Sequence, residues 1–455
     1  MLRFAVFLWS CLATASAIAG DVKHVVLISV DGLAASYLTD PKADLPTLRR
    51  LAKEGAVADG MITTFPSVTW PSHTSLITGT TARRHGVLGN VTLDRRAGKE
   101  VTYIGDPTLT RDEAIRVPTL YDAARAAGLK TASVIWPCSN GAKSLDWVIP
   151  DSNKPALHAQ FTTPGLAEDL GKAGIDITKL GAWGWQKQHS TIRDETYSRV
   201  ARYLLEKHST NLLLLHYITP DGVEHAYGPH TPEAYAAVKE SDQRVKEVWD
   251  ALQKPPFAGR SALFVVSDHG FAPYEKIIQP NTVLRTLGLV EVDDKGKPAK
   301  RRAWCVAQGG SAFVYILDEP ARAELLPKVK AALSGLEGVS RVIEPDDFEK
   351  LGLPRPEDNL EAPHLILATG PGFSFGDSAT GETLVDAGGR KGTHGHLPEP
   401  AYMHATFLAA GTGIKPGTKL KTPRNIDVAP TIAKLLGLKL PSAEGRVLTE
   451  ILEDR

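Results

Sequence analysis

The chain has no excess of either charge: 52 lysines and arginines balance 52 aspartates and glutamates. That balance removes the basic field that would bind a nucleic acid backbone or an acidic membrane surface. Cysteine is scarce, three in 455 residues, and none falls in the paired spacing of a cysteine metal site. There is no internal repeat and no low-complexity segment. Beyond the first twenty residues, no apolar run approaches the roughly 20 residues of a membrane span. What remains, 42% hydrophobic and 23% charged, is the composition of a folded globular protein. Its length suits two or three average domains, or one large α/β unit with insertions. No feature sets an oligomeric state.

The N-terminus stands apart. Arg3 precedes FAVFLWSCLATASAIA, and Ala17-Ile18-Ala19 has the small-x-small pattern of a signal-peptidase site. Residues 1–19 read as a secretory leader cleaved after Ala19, which makes the mature protein periplasmic or secreted. Lipid attachment at Cys11 is the rival, but Trp9 and Ser10 fit its small-residue box poorly. Cys138 and Cys305 remain. Export permits a disulfide between them, and two unrelated semi-buried thiols are the other reading.

The stretch Met61 to Asn90 (MITTFPSVTWPSHTSLITGTTARRHGVLGN) is the focus. Pro71 suits a first helical position, Leu76 and Ile77 give buried bulk, and Gly79 suits a C-terminal stop. Thr69 then sits just ahead of a helix N-terminus, where free N–H groups and the dipole favour an anion such as phosphate. It is either a nucleophile, which needs an activator elsewhere, or simply a cap.

Around it, short apolar runs alternate with amphipathic helices. HVVLISV (24–30) ends at Asp31-Gly32, NLLLLHY (211–217) at Thr219-Pro220-Asp221, and the strand 262–266 at Ser267-Asp268-His269-Gly270. Helices are expected near 46–55, 118–128, 194–207 and 232–252, and strand and helix again at ATFLAA and DVAPTIAKLLG. This predicts an α/β fold with a mostly parallel sheet covered on both faces. From about Tyr274 to Asp386 the pattern changes to strand-like AFVYILD, VSRVIEP and HLILATG with one helix near 321–333. Residues 20–273 and 387–455 then form the catalytic domain, and 274–386 an inserted α+β cap.

In an open α/β sheet, ligands bind beyond the carboxyl ends of the strands. Asp31, Asp221 and Asp268-His269 therefore converge on one rim, with His225 four residues after Asp221 and a glycine-rich loop around His394. Three aspartates and three histidines suit zinc and similar divalent ions. With Thr69 they make seven ligands, enough for two nearly tetrahedral centres, the clamp used for in-line displacement at phosphorus.

In order along the chain stand SVDG, FPSVTWPSHTSLITG with HGVLGN, PDGVEH, SDHG, GTHGH and NIDVAPTIAKLLG. This series resembles the nucleotide pyrophosphatase/phosphodiesterase branch of the alkaline phosphatase superfamily, from Val26 to about Leu448. The resemblance implies an alkaline-phosphatase-like fold and two Zn2+ ions. It places Asp31, Asp268 and His269 on the zinc that activates Thr69, and Asp221, His225 and His394 on the second. It makes Thr69 the nucleophile and Asn90 the donor to a phosphate oxygen, acting on a small-molecule phosphate ester or nucleotide. Thr69 before Trp70-Pro71 departs from the sulfatase pattern, and His73, His85 and His396 receive no metal role. A phosphomonoesterase or phosphonate hydrolase on the same scaffold, and a catalytically silent metal-binding protein, are the alternatives. Trp136, Trp183, Trp185 and Tyr227 are candidates for lining a specificity pocket.

Overall fold

The run His24–Val30 is buried at every residue because it has a strand on each side and helices on both faces. It pairs in parallel with Leu212–Tyr217 and with Ser261–Val266, Val26 lying opposite both Leu213 and Leu263. A strand so placed has no polar face, which is why its sequence is a continuous apolar run. The structure is a computed structural model that describes residues 22–104, 109–183 and 190–454. The expected leader (1–19), Cys11 and Trp185 lie outside the described residues.

Eight strands form the main sheet, in the order Thr418–Leu420, Ala56–Ala58, Phe407–Gly411, Ser261–Val266, His24–Val30, Leu212–Tyr217, Thr131–Val134, Trp147–Ile149. Only Phe407–Gly411 runs against its neighbours. Alternate residues of the central strand enter different cores. Val25 and Leu27 meet Leu76 and Ile77 of helix Thr69–Thr78 and Ile432 of helix Val428–Leu435. Val26, Ile28 and Val30 meet Leu48 of helix Pro46–Glu54, Leu204 of Ser190–His208 and Val245 of Pro232–Leu252. Each such aliphatic side chain contributes about 1.5–3 kcal/mol on burial, so the sheet holds its carboxyl rim rigidly.

Within 274–386, strands Ala303–Ala307, Ser311–Ile316, Leu365–Thr369 and Val339–Ile343 form an antiparallel sheet in that order. Helix Arg322–Ser334 packs on it, and Phe313, Val329 and Ile366 share a third core with Phe65 and Leu88. Strand Ala272–Ile278 leads away from His269, and Leu384–Thr393 returns antiparallel to it, Ala272 opposite Thr393. That pairing brings His394 back beside His269. Cys138 and Cys305 are free thiols in different cores; they form no disulfide.

Candidate active site

Three adjacent parallel strands deliver the carboxylates. Asp31 follows Val30 directly, and its N–H donates to the Tyr217 carbonyl (2.8 Å). Gly32, at φ +73°, turns the chain so that its N–H donates to Asp268 Oδ1 (3.2 Å). Asp221 follows its strand at a short distance. It lies not in a loop but in the first turn of helix Thr219–Tyr227, which puts His225 one turn on. The buried carboxylate of Asp194 fixes that helix by accepting the N–H groups of Ile218 (3.1 Å) and Thr219 (3.0 Å).

The six residues form two groups, Asp31–Asp268–His269 and Asp221–His225–His394. His269 Nε2 lies 3.3 Å from Asp31 Oδ1 and 3.2 Å from Asp268 Oδ2. Nε2 of His225 and of His394 lie 3.3 and 3.6 Å from Asp221 Oδ1. The groups adjoin, with the rings of His269 and His394 stacked 3.7 Å apart.

Each Nδ1 faces a backbone carbonyl: Gly270 for His269 (3.2 Å), Gly392 for His225 (3.1 Å) and Ser67 for His394 (3.1 Å). A carbonyl only accepts, so Nδ1 carries the proton and Nε2 turns a lone pair toward the carboxylates. Asp31 and Asp268 are arranged alike. One oxygen of each is held, by His216 Nε2 (3.0 Å) and by Gly32 N–H. The other, with Asp221 Oδ1 and His269 Nε2, is buried without a hydrogen-bond partner. Acceptors aimed at acceptors in a buried site repel unless a cation lies between them. The residues therefore fit divalent metal ions, and the N/O donor set suits zinc-like ones.

The titration behaviour agrees. Burial and the facing Asp268 push the Asp31 carboxyl well above its usual range. Burial and Asp221 push Asp268 up to about 7. Burial also opposes ionisation of Asp221, but His225, His394 and His269 outweigh it and hold that carboxyl below its usual range. Burial lowers His394 to about 3, helped by His225, and lowers His269 well below the usual imidazole value.

Thr69 is the first residue of its helix, not the residue ahead of it; Val68 is the cap and Pro71 stands third. The first turn offers fewer free donors than the sequence suggested. Trp70 N–H goes to Asn90 Oδ1 (3.0 Å), Ser72 N–H to the Val68 carbonyl (3.2 Å), and Pro71 has none. The Thr69 carbonyl accepts from His73 Nδ1 (2.8 Å), and His73 lies 3.7 Å from Asp268. His85 binds Ser75 Oγ and Val87 N–H, and His396 binds the Thr369 carbonyl.

Thr69, Asp31, Asp221 and His225 open on one cavity of about 310 Å³. Of the aromatic candidates, Trp136 is wholly buried against His73, Trp183 is partly buried against the second core, and Tyr227 is half-exposed; none lines this cavity. The sequence reading missed His216, Arg193 and Asp151, which do. For His216 the signal was present: a polar residue inside the apolar run NLLLLHY, one position before its end. No residue of 274–386 lines the cavity, though Gln308 accepts the Asn90 N–H (3.2 Å).

Residues 25–396 match the profile of the type I phosphodiesterase / nucleotide pyrophosphatase family. Ectonucleotide pyrophosphatase/phosphodiesterase family member 7 of Mus musculus is 25% identical over 414 residues, covering 91% of this chain and 83% of its own. The bis(5'-adenosyl)-triphosphatase enpp4 of Xenopus laevis is 23% identical over 419 residues, covering 91% and 78%. In structure, murine ectonucleotide pyrophosphatase / phosphodiesterase 5 aligns with a TM-score of 0.68 at 18% identity, covering 94% of this chain and all of that one. An inactive form of that protein in complex with AMP aligns at 0.69, with 17% identity over 95% of this chain. At such identities the structural match speaks for the fold, a mostly parallel α/β sheet of alkaline-phosphatase type.

Proposed function

The chain belongs to the type I phosphodiesterase / nucleotide pyrophosphatase family, and from that premise we propose an exported two-zinc hydrolase that cleaves phosphodiester or pyrophosphate bonds through a phosphothreonine at Thr69. One observation carries the reading: three Nδ1-anchored histidines and three aspartates gather in two adjoining groups, with Asp31 Oδ1, Asp268 Oδ2, Asp221 Oδ1 and His269 Nε2 buried without hydrogen-bond partners, where Thr69 opens on the same cavity. Asp31, Asp268 and His269 would hold one ion and Asp221, His225 and His394 the other. Bound there, zinc lowers the pKa of coordinated oxygens and offsets phosphoryl charge.

The chain's own residues supply the rest. Thr69 Oγ1 attacks phosphorus in line, a Thr–O–P bond forms, and the bond to the alcohol or phosphate leaving group breaks. Water then cleaves the Thr–O–P bond and frees the hydroxyl. Because Asn90 Oδ1 is taken by Trp70 N–H, what Asn90 offers a phosphoryl oxygen is its Nδ2 donor, fixed before charge redistributes. His216 and Gly32 N–H hold Asp31 and Asp268 in place and restrict where the reacting oxygens sit.

The favoured substrates are diesters and nucleotides. A dianionic monoester needs an additional cation. Lys143 has an 88% exposed side chain and pairs with Asp112 (3.6 Å), so it does not supply one. The named activity of the Xenopus relative and the AMP complex of the murine one favour nucleotides. Export rests on the leader pattern in 1–19 and on the "ecto" in the relatives' names; no helix among the described residues is long and apolar enough to cross a membrane. Residues 274–386 are proposed as an inserted subdomain, a reading supported by the antiparallel sheet within them.

Turnover of bis(para-nitrophenyl) phosphate with acid-quench mass analysis of the Thr69 peptide tests the proposal. Thr69→Ala is expected to lose at least about a thousandfold and to form no phosphopeptide. A phosphorylated alanine variant would move the nucleophile elsewhere.

A further inference from the structure

Residues 274–386 do not line the cavity beside Thr69, yet one of their side chains reaches the site. Gln308 lies in the turn between strands Ala303–Ala307 and Ser311–Ile316 and is only 4% exposed. Its Oε1 accepts the Asn90 N–H (3.2 Å) and its Nε2 donates to the Val91 carbonyl (2.5 Å). An N–H only donates and a carbonyl only accepts, so these partners fix which end of the amide is which. Gly89 makes room for it, since a Cβ there would lie 2.8 Å from Gln308 Oε1. The Asn90 carbonyl accepts from the N–H groups of Tyr103 (2.9 Å) and Ile104 (3.2 Å), and its Oδ1 accepts from Trp70 N–H (3.0 Å). Three of the four polar groups of Asn90 are thus engaged within the protein. The fourth, Nδ2, is the donor assigned above to a phosphoryl oxygen. The chain beyond Asn90 is tied to the same segment, Glu361 Oε2 accepting from Thr92 Oγ1 (2.6 Å) and from Tyr103 OH (3.0 Å).

A donor stabilises developing charge best when it is held in place before the reaction, and misplacing or removing one costs about a hundredfold. Resting on the phosphodiesterase reading above, we infer that Gln308 is a positioning residue for the reaction. It fixes Asn90, and so gives residues 274–386 a hold on the chemical step without a contact to the substrate. The same turn also meets the metal-ligand residue His394, but through the backbone: Gly310 N–H donates to the His394 carbonyl (2.7 Å). Changing the Gln308 side chain leaves that bond in place. Its effect on the donor is therefore separable from any effect on the metal.

A double-mutant cycle tests this, with kcat and KM for bis(para-nitrophenyl) phosphate and metal content per chain measured for the wild type, Gln308→Ala, Asn90→Ala and the double variant. Gln308→Ala should lower kcat at least about tenfold, change KM by less than about threefold and leave metal content unaltered. In the Asn90→Ala background the same substitution should cost less than about threefold, because the group it positions is gone. Gln308→Met fills much the same space without either hydrogen bond and should be impaired as much as Gln308→Ala. An undiminished kcat in Gln308→Ala, equal losses in both backgrounds or a Met variant with wild-type turnover would overturn the inference. So would a fall in metal content, which would show a residue that serves the fold alone. Failure of the wild-type protein to cleave bis(para-nitrophenyl) phosphate would instead remove the phosphodiesterase reading on which the inference rests. Unchanged turnover in Asn90→Ala would remove the donor role of Asn90, and the inference with it.

Discussion

Asp194 allows two opposing effects to be separated by a single oxygen-to-nitrogen change. Its carboxylate, 2% exposed, accepts the N–H groups of Ile218 and Thr219 and so starts the helix that carries Asp221 and His225. Burial outweighs those bonds and raises the carboxyl to about 6 from 3.8. Because the folded value lies above the unfolded one, this group's contribution is fully present below about 4 and is lost as pH rises through about 6. Between pH 8 and pH 5 the difference amounts to about 1.4 kcal/mol. Asp194→Asn has no such dependence. It also keeps one acceptor and removes a buried charge, so near pH 8 its stability should lie within about 1.5 kcal/mol of wild type. Asp194→Ala leaves two buried N–H groups unpaired and should lose about 2–4 kcal/mol at any pH. The assay is chemical denaturation of wild type, Asn and Ala variants at pH 8 and pH 5. The wild-type advantage over Asn should widen at the lower pH, and because both proteins share every other titrating group, those groups cancel. A constant gap, or one that narrows at pH 5, would refute the reasoning.

Thr69→Ser retains the hydroxyl and should keep far more turnover than Thr69→Ala in the same chromogenic assay; equal losses would count against a threonine nucleophile. Metal uptake by stripped protein should weaken about tenfold from pH 8 to pH 6, since the proton held by Asp268 near 7 must leave first; chelator competition at the two pH values measures it, and a constant affinity contradicts it. A diester should exceed the aryl monoester with the same leaving group in kcat/KM, and a monoester preference of about tenfold would reverse the substrate assignment. Gly395 adopts φ +80°, and a Cβ there would lie 1.6 Å from the Gln308 carbonyl; Gly395→Ala should therefore cost about 2 kcal/mol or more and displace His394, seen as lower stability together with weaker metal binding.

Much of the fold was legible because burial writes itself into composition. HVVLISV has no polar face, and it is the strand with neighbours on both sides. The helix 232–252 alternates its apolar residues at helical spacing, and its bounds agree with the structure. Several ligand residues were legible for a related reason, since Asp31, Asp268 and His269 follow apolar runs and His394 follows a glycine-rich turn. What was not legible depends on contacts distant in sequence. That Asp221 opens a helix rather than ending a loop depends on Asp194, from a different element. Nothing in the local sequence tells which arginine of helix Ser190–His208 faces the cavity. Trp136 looked like a pocket residue because tryptophan often is one; here its indole fills the core under His73.

The antiparallel pairing of Ala272–Ile278 with Leu384–Thr393 has a consequence for how the molecule comes into being. Asp31 emerges early in synthesis and His394 only after six of the eight strands of the main sheet have been made. The fold closes that long interval by one local device, a ribbon whose two ends begin at His269 and finish at His394. Until the ribbon zips, the chain holds five of the six acceptors and no complete second group. Contacts so far apart in sequence form late in folding, so the second group is completed only after this ribbon has paired. A chain truncated before residue 384 could build most of the central sheet and still have no working centre.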